Sequence, residues 1–379
     1  MSPDKPLPYM LYSMNYYLTE IKGKIAECSD EDWNTYKKYT NPYEYIYTNS
    51  ARTSVCKYKP ISRAYFKMIE IMNTFNFPGF DSPKPIEMFA LAEGPGGFIE
   101  AVSNYRNNPE DMYYGMTIED PTDPEVPGWK KTANFLKAHP NILLEKGADL
   151  TGNILNLQNF KHVVSKYKNR CDLVTGDGGF DFSADFNSQE INITRLLFGQ
   201  IAYAVCIQKM GGTFVLKCFD CFYKATSELV YLLSTMYEKV YVVKPNTSRY
   251  ANSERYLVCL NFHNRQCIPV FEQLMESLCN GTGHIRSFFN GVKIPMFYYN
   301  KLEECSSIIG HMQIENIYNT LALIKNQYKT DKISFYMKTN IKKCINWCIK
   351  NGVEYNAGLN EKGIHENGER NIFMQVAKV

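Results

Sequence analysis

Short apolar runs alternate with amphipathic stretches through the middle of the chain, from about residue 85 to residue 262. The runs are bounded by turn-forming residues, which is typical of buried strands. Helical spacing marks most of the stretches between them, including 188–210 and 223–237. This alternation predicts an α/β fold with a mostly parallel sheet covered by helices on both faces. The seven strand candidates are "IEMFALAE", "MYYGMTI", "NILLEKG", "CDLVTGD", "TFVLKCF", "KVYVVKP" and "RYLVCLNF".

The last two strand candidates are joined by a short, turn-rich link, "NTSRYANSE". Parallel neighbours need a crossover of about a dozen residues or more, so this link predicts a seven-stranded sheet with an antiparallel last strand. Residues 1–60 have weak periodicity and are predicted to be an N-terminal extension. The α/β domain is predicted to span 61–265, and 266–379 to form a mainly helical C-terminal extension.

Composition narrows the class of protein only slightly. Of 379 residues, 45% are apolar and 21% are charged, as in ordinary globular proteins. The sequence has neither an apolar run long enough for a membrane span nor the start of a secretory signal. Twelve cysteines lie scattered in apolar runs, which favours reduced, buried thiols in an intracellular protein. Cys218 and Cys221 are interpreted as core residues because no second ligand pair at zinc spacing accompanies them.

The net charge of +3 is too small to indicate a nucleic-acid partner without local evidence. One such local feature is a lysine-rich stretch at 325–350, with Asp331 as its acidic member. It predicts either a solvated helical face or a surface that faces RNA, and the sequence leaves both open. Its lysines are Lys325, Lys329, Lys332, Lys338, Lys342, Lys343 and Lys350.

A glycine-rich loop follows the first strand candidate in "FALAEGPGGFIEAV". Glycines there allow a ligand to approach the backbone, and the following helix N-terminus favours an anionic group. The dinucleotide-binding pattern requires a third glycine where this chain has Ile99, which disfavours a nicotinamide cofactor. S-adenosylmethionine, which has one carboxylate and a nucleoside, fits better; a plain tight turn is the alternative. The loop residues are Glu93, Gly94, Pro95, Gly96, Gly97 and Phe98.

The next two strand ends are also candidates for cofactor contacts. Thr117 and Ile118 end the second strand candidate, where a ribose or adenine is expected. Asp149 and Leu150 follow the third, where the carboxylate can accept a hydrogen bond from an adenine amino group. Considered alone, Asp149 is more typical of a turn residue or a helix cap than of a cofactor contact.

Four charged residues stand at the ends of predicted elements. Asp177 ends the fourth strand candidate, Lys217 nearly ends the fifth, and Glu254 precedes the last. Lys67 lies on the predicted helix "SRAYFKMIEI". Each alone is also explained by an ion pair at a strand end. An antiparallel last strand, however, begins at the edge where the parallel strands end, so all four are predicted to converge on one cleft.

In this order the four residues match the Lys-Asp-Lys-Glu tetrad of the FtsJ/RrmJ-type RNA ribose 2′-O-methyltransferases. The segments "SRAYFK", "EGPGGF", "GDGGFD", "GGTFVLK" and "SERYLVC" stand where that family's motifs stand, so the chain resembles the family over about residues 41 to 262. "NPYEYI", "YGMTI" and "DGGFDF" are similar to segments of the branch that acts on mRNA caps in eukaryotes and large DNA viruses. The resemblance implies a Rossmann-like, S-adenosylmethionine-dependent methyltransferase fold.

The resemblance also implies roles for the tetrad. Lys217 is expected to be the general base, and Lys67 and Glu254 to align the ribose. Asp177 is expected to orient Lys217 and to lie near the methyl donor. No metal is required. Capped mRNA is the expected partner, with other capping or transcription machinery beside it. The candidate RNA and cap contacts are Lys37, Lys38, Arg63, Asp185, Lys244, Arg249 and Asn252.

Three functions therefore remain to be compared. The favoured one is methylation of the first transcribed nucleotide of capped mRNA, which converts cap 0 to cap 1. The second is a ribosomal or transfer RNA methyltransferase of the same family; the extended N-terminus and the long C-terminal region disfavour it. The third is a non-catalytic RNA-binding subunit, which the intact tetrad and glycine loop disfavour.

Overall fold

The computed structural model describes residues 4–48, 53–119, 128–130, 132–179, 186–264, 268–326, 330–359 and 375–378. One mixed sheet runs through this part of the chain in the order β3-β2-β1-β4-β5-β7-β6-β8. Its strands are β1 Glu87–Leu91, β2 Met112–Met116, β3 Ile142–Leu144, β4 Cys171–Gly176, β5 Gln208–Cys218, β6 Tyr237–Lys244, β7 Arg255–Phe262 and β8 Gln375–Lys378.

The strand directions agree with the predicted fold class. β1 to β5 pair with one another in parallel, and β7 is inserted antiparallel between β5 and β6. The seven predicted strands are therefore present, with the antiparallel strand as expected. Beyond them, β8 adds an eighth strand that pairs antiparallel with β6. The order reverses between β1 and β4, and in open α/β sheets a ligand crevice lies at the carboxyl ends of the strands where this happens.

Helices flank the sheet and continue into both extensions. The C-terminal region is mainly helical, as the sequence predicts. The helices are α1 Tyr12–Gly23, α2 Asp30–Thr40, α3 Ala64–Phe75, α4 Gly97–Arg106, α5 Ala133–Ala138, α6 Leu157–Tyr167, α7 Gln189–Ile207, α8 Lys224–Met236, α9 Ile268–Asn280, α10 Met296–Lys325 and α11 Thr330–Lys350.

The core has two parts because successive strand residues point to opposite faces of the sheet. Phe89 and Leu91 pack with residues of α6, α7 and α9, whereas Met88 and Ala90 pack with residues of α3, α4 and α11. The central strands are buried on both faces and hence read as continuous apolar runs in the sequence.

The two extensions pack on each other and on the α/β region. The Thr40 hydroxyl at the end of α2 lies 2.7 Å from that of Thr320 on α10, and the Asn316 amide donates to the Thr40 carbonyl. On α11, the Asn340 amide donates to the Tyr39 carbonyl, and the Trp347 ring packs edge-on to Phe66 of α3. The C-terminal helices therefore support both α2 and the helix that carries Lys67.

A buried ion network joins these parts beside the sheet edge. Arg255, the first residue of β7, is fully buried and donates to Asp220 at 2.7 Å. Lys22 of α1 lies 3.5 Å from the same carboxylate, and Ser306 of α10 accepts a hydrogen bond from Arg255 at 3.3 Å.

Of the helices in the described ranges, none combines the length and apolarity that crossing a membrane requires.

Candidate active site

The four predicted charged residues meet at one edge of the sheet as two ion pairs. Lys217, near the end of β5, places its Nζ 2.6 Å from the Asp177 carbonyl oxygen and 3.3 Å from Asp177 Oδ1. Lys67 on α3 places its Nζ 2.7 Å from Glu254 Oε1. All four side chains are between 11% and 14% exposed, so they are largely dry but still reachable from the cleft. The predicted convergence is therefore present.

Tyr256 connects the two pairs, and the sequence analysis did not single it out. It is the direct partner of Lys217 in the antiparallel pairing of β5 and β7. Its hydroxyl donates to Asp177 Oδ1 at 2.9 Å and accepts from Lys67 Nζ at 3.4 Å. Its ring is fully buried and packs against Phe98 of the glycine loop. In the sequence, a tyrosine inside an apolar strand is typical of a core residue. The only signal that Tyr256 belongs to the site is its spacing of two residues from Glu254, which predicts that both side chains point to the same face of the strand.

The lysines around the cleft stabilise the negative charge of Glu254. Burial opposes ionisation of Glu254, but the positive charges of Lys67, Lys217 and Lys244 outweigh it and hold the pKa of this carboxyl well below its usual range. The Ser248 hydroxyl adds a hydrogen bond to Glu254 Oε1 at 2.8 Å. Burial, with the negative charges of Asp177 and Glu254, raises the pKa of Tyr256 well above its usual value. Tyr256 is therefore a neutral hydroxyl that can donate and accept.

Lys244 is buried rather than exposed to an RNA phosphate, which removes it from the predicted RNA contacts. It ends β6, and its side chain turns under the 245–254 segment with 2% of the residue exposed. Its Nζ donates to the Asn252 carbonyl and side-chain oxygens and to the Glu254 carbonyl, at 2.5 to 2.8 Å. Burial lowers the pKa of Lys244 to about 7. Lys244 thus fixes the segment that presents Glu254.

The predicted glycine loop leads from β1 into the N-terminus of α4. Gly96 has φ +100°, and a Cβ there would lie 2.7 Å from Cζ3 of Trp129, so both backbone and space require glycine. Glu93 is buried: its Oε1 accepts from the Phe98 N–H, and its Oε2 has no partner within the described residues. Burial raises the pKa of Glu93 well above its usual value. A buried carboxyl oxygen without a partner is a candidate contact for a polar group of a ligand.

The predicted contacts at the second and third strand ends lie on the same edge. The Glu119 N–H donates to the Thr151 carbonyl, which joins the two following loops. Thr117 is buried, whereas Ile118 and Leu150 are 48% and 70% exposed. Asp149 uses both carboxylate oxygens within its own loop, where they accept from Thr151, Asn159 and Asn156. The turn interpretation of Asp149 is thus realised, and its contact to an adenine stays a prediction.

Two of the remaining predicted RNA contacts, Arg63 and Arg249, pair with Glu44. This buried carboxylate accepts from Arg249 at 2.9 and 3.1 Å and lies 3.5 Å from Arg63. Arg249 borders two pockets, of about 180 and 410 Å³. Lys37 and Asn252 line the smaller and Lys38 and Arg63 the larger, and Asp185 lies outside the described residues. The smaller pocket is lined by Lys22, Ile25, Trp33, Lys37, Gln189, Arg249, Ala251, Asn252, Ser253 and Gln313.

Cys218 and Cys221 are fully buried, free thiols behind the active-site edge. Among the residues that the structure describes, no cluster of three or more His, Cys, Asp or Glu side chains has the geometry to hold a metal ion.

The Gln200 side chain on α7, also missed by the sequence analysis, accepts a hydrogen bond from the Gly178 N–H at 3.0 Å. It fixes the turn that carries Asp177.

All four charged residues and the glycine loop lie within residues 60–262, which match the FtsJ-like methyltransferase family model. Because the match spans more than half of the chain, the protein belongs to this family. The resemblance predicted from the motifs is confirmed.

Similar proteins include two named cap-specific mRNA (nucleoside-2′-O-)-methyltransferase 2. The Drosophila melanogaster protein is 25% identical over 280 residues, covering 71% of this chain and 39% of its own length. The Danio rerio protein is 27% identical over 323 residues, covering 83% and 43%. A cap-specific mRNA (nucleoside-2′-O-)-methyltransferase 1 of Trypanosoma cruzi is 38% identical over 173 residues, covering 45% and 46%. The chain therefore spans less than half the length of these relatives.

Proposed function

We propose that this protein transfers a methyl group from S-adenosylmethionine to the ribose 2′-oxygen of the first transcribed nucleotide of capped mRNA. The observation that carries the proposal is the joining of Lys217–Asp177 to Lys67–Glu254 through the Tyr256 hydroxyl. The site has amines and carboxylates at the strand ends, as proton transfer from an alcohol requires. The names of the relatives support capped mRNA as the substrate class.

The cofactor-binding role of the glycine loop is supported by two features of the chain. The first N–H groups of α4 follow Gly96, where a helix N-terminus favours a carboxylate such as that of the methionine moiety. Glu93 Oε2 is a buried carboxyl oxygen available to a polar group of the cofactor. When bound, S-adenosylmethionine supplies an electrophilic methyl group. The residues assigned to it are Glu93, Gly94, Pro95, Gly96, Gly97, Phe98, Thr117, Ile118, Asp149, Leu150 and Asp177.

The chain's own residues then prepare the ribose. In its neutral form, the Lys217 amine would accept the proton of the 2′-hydroxyl as the oxygen bonds to the methyl group and the bond from that methyl group to the donor's sulfur breaks. Asp177 holds this amine through its carbonyl and carboxylate oxygens, so that the amine need not reorient during the reaction. Lys67 and Glu254 form the opposite wall and align the sugar hydroxyls. Tyr256 fixes the two ion pairs relative to each other because its hydroxyl contacts both Lys67 and Asp177.

The smaller pocket beside Arg249 is proposed to hold the cap guanosine. Asn252 and Ser253 line it and directly precede Glu254, so it adjoins the tetrad. Trp33 offers an aromatic surface for a base, and Lys37 and Arg249 offer positive charge for the triphosphate bridge. Arg249 is held by Glu44 and is thereby oriented before the substrate arrives. Lys38 and Arg63 in the larger pocket are proposed phosphate contacts.

Methyl transfer from labelled donor to short RNAs with and without a cap tests the proposal. Transfer to the 2′-oxygen of the first nucleotide of capped RNA alone is the expected result. Transfer only to structured ribosomal or transfer RNA contradicts the substrate class. RNA binding without any transfer contradicts the enzymatic assignment.

A variant separates cap recognition from catalysis. Trp33→Leu is expected to raise KM for capped RNA by about 5- to 150-fold, since stacking of a base on an aromatic ring contributes about 1–3 kcal/mol. Tyr36→Leu on the same helix, outside this pocket, is the matched control. An equal effect of both variants contradicts the assignment of the pocket.

A further inference from the structure

The helix α11 lies outside the matched family region and presents a basic, aromatic face to solvent. Its buried side is formed by Asn340, Cys344, Ile345, Trp347 and Cys348. At 3.6 residues per turn, the opposite side carries the exposed residues of the helix. The exposed residues include Lys332, Lys338 and Lys350 against one acidic residue, Asp331, while Lys342 and Lys343 are half-buried.

The most exposed part of this face is an aromatic ring between two cations. Phe335 is 66% exposed, and Lys332 and Lys338 stand three positions to either side of it, both exposed. Residues three apart on a helix are surface neighbours. Lys332 also lies over the Tyr336 ring, with its Nζ 6.0 Å from the ring centre. Exposed aromatic rings interleaved with positive charge suit stacked bases and backbone phosphates of a single strand.

The buried side of α11, opposite this face, packs beside the segment that borders the cap-proximal pockets. The Asn340 amide donates to the carbonyls of Tyr39 and Asn41, directly after Lys38. Of the nearby acidic groups, Glu354 is paired with Lys57 at 3.7 Å, and Glu44 is buried with Arg249. Burial and the negative charge of Glu315 on α10 raise the pKa of Tyr336, which lies at the edge of the face. The exposed surface of α11 thus has Lys332, Lys338 and Lys350 against Asp331.

We propose that α11 binds the body of the RNA chain downstream of the methylated nucleotide. This inference rests on the proposed function in taking RNA as substrate, and it adds a binding surface outside the family domain. Charge complementarity favours RNA as the ligand of this face, because its phosphates can pair with the lysines and its bases can stack on Phe335. The helix is about 30 Å long at 1.5 Å per residue, which is enough for several nucleotides.

The test compares a capped dinucleotide with a capped, unstructured RNA of about thirty nucleotides, using the full-length protein. Lys332→Glu combined with Lys338→Glu is expected to raise KM for the long RNA about tenfold and to leave KM and kcat for the dinucleotide unchanged. The slope of log affinity against log salt should fall by about 1.4, since each single-strand phosphate contact contributes about 0.7. Phe335→Ala should raise KM for the long RNA alone.

Lys161→Glu with Lys168→Glu is the matched control, because these exposed lysines lie on and just after α6, across the sheet from α11. An unchanged KM for the long RNA, an equal rise for both substrates, or an equal effect of the control overturns the proposal. Fluorescence anisotropy of the same RNAs measures binding without methyl transfer. If no transfer occurs but the α11 variants weaken long-RNA binding, the proposed function fails and the RNA-binding surface stands.

Discussion

Lys217 and Tyr256 face each other across β5 and β7, and the tyrosine hydroxyl donates to the same Asp177 that holds the lysine. The pairing of the two strands thereby sets the distance between Lys217 and the rest of the tetrad. A register shift of one residue would turn Tyr256 to the opposite face of the sheet. Strand register is thus part of the proposed catalytic geometry.

Replacing Tyr256 with phenylalanine should lower kcat while cofactor affinity is retained. The variant keeps the ring packing on Phe98 but removes the hydroxyl that joins Lys67 and Asp177. A hydrogen bond to a charged group contributes about 1.5–3 kcal/mol, so kcat should fall about 10- to 100-fold. Single-turnover methyl transfer and calorimetric titration of the cofactor measure the two effects. Tyr241→Phe on the neighbouring strand is the control, and equal losses in both variants contradict the joining role.

Replacing Lys217 with methionine should abolish most methyl transfer and preserve cofactor binding. Loss of a general base costs about 10²- to 10⁴-fold in rate. Lys209→Met is a matched control on the same strand, because Lys209 is 42% exposed and pairs with Asp172 at the other end of β5. Such a surface pair contributes at most about 1 kcal/mol to stability. Near-normal turnover by Lys217→Met would exclude Lys217 as the base.

Lys244 should make the stability of the protein depend on pH above neutrality. Its pKa is lowered by burial to about 7, whereas an unfolded lysine holds its proton to about 10.4. Between these values the unfolded state binds more protons, so this residue's contribution to the free energy of unfolding rises with pH, by at most about 1.4 kcal/mol per unit. Urea unfolding of the wild type and of Lys244→Met, from pH 6.5 to pH 9 or so, measures it. A difference between the two proteins that does not change with pH contradicts the prediction.

Gly96→Ala should weaken cofactor binding more than it destabilises the fold. The substitution places a methyl group against Trp129 and also forces alanine into a left-handed conformation, which costs about 1–2 kcal/mol. Gly79→Ala separates the two effects, because Gly79 has φ +79° and no atom within 4 Å of an added Cβ. Thermal unfolding should shift in both variants, whereas cofactor affinity should fall only in Gly96→Ala. Loss of affinity in Gly79→Ala as well would attribute the effect to general destabilisation.

The sequence predicts the sheet and the tetrad because both follow from local rules. Apolar runs define the strands, and charged residues at their carboxyl ends meet at one edge whatever the loop details. Lys244 shows where this reasoning fails: it also ends a strand, but the segment after it folds back and buries it. Tyr256 depends on the pairing register of β5 and β7, which apolar runs alone do not specify. β8 is added from a distant terminal segment, for which no local pattern exists.

The buried contact between Arg255 and Asp220 has a consequence for modularity. Lys22 of α1 and Ser306 of α10 complete that network, although both lie outside the region that matches the family. Cutting the chain at the family boundaries would expose the Arg255 guanidinium, next in sequence to Glu254, and remove its contact with Ser306. The family-matching region and both extensions therefore share one buried network, and cutting them apart is expected to destabilise the protein.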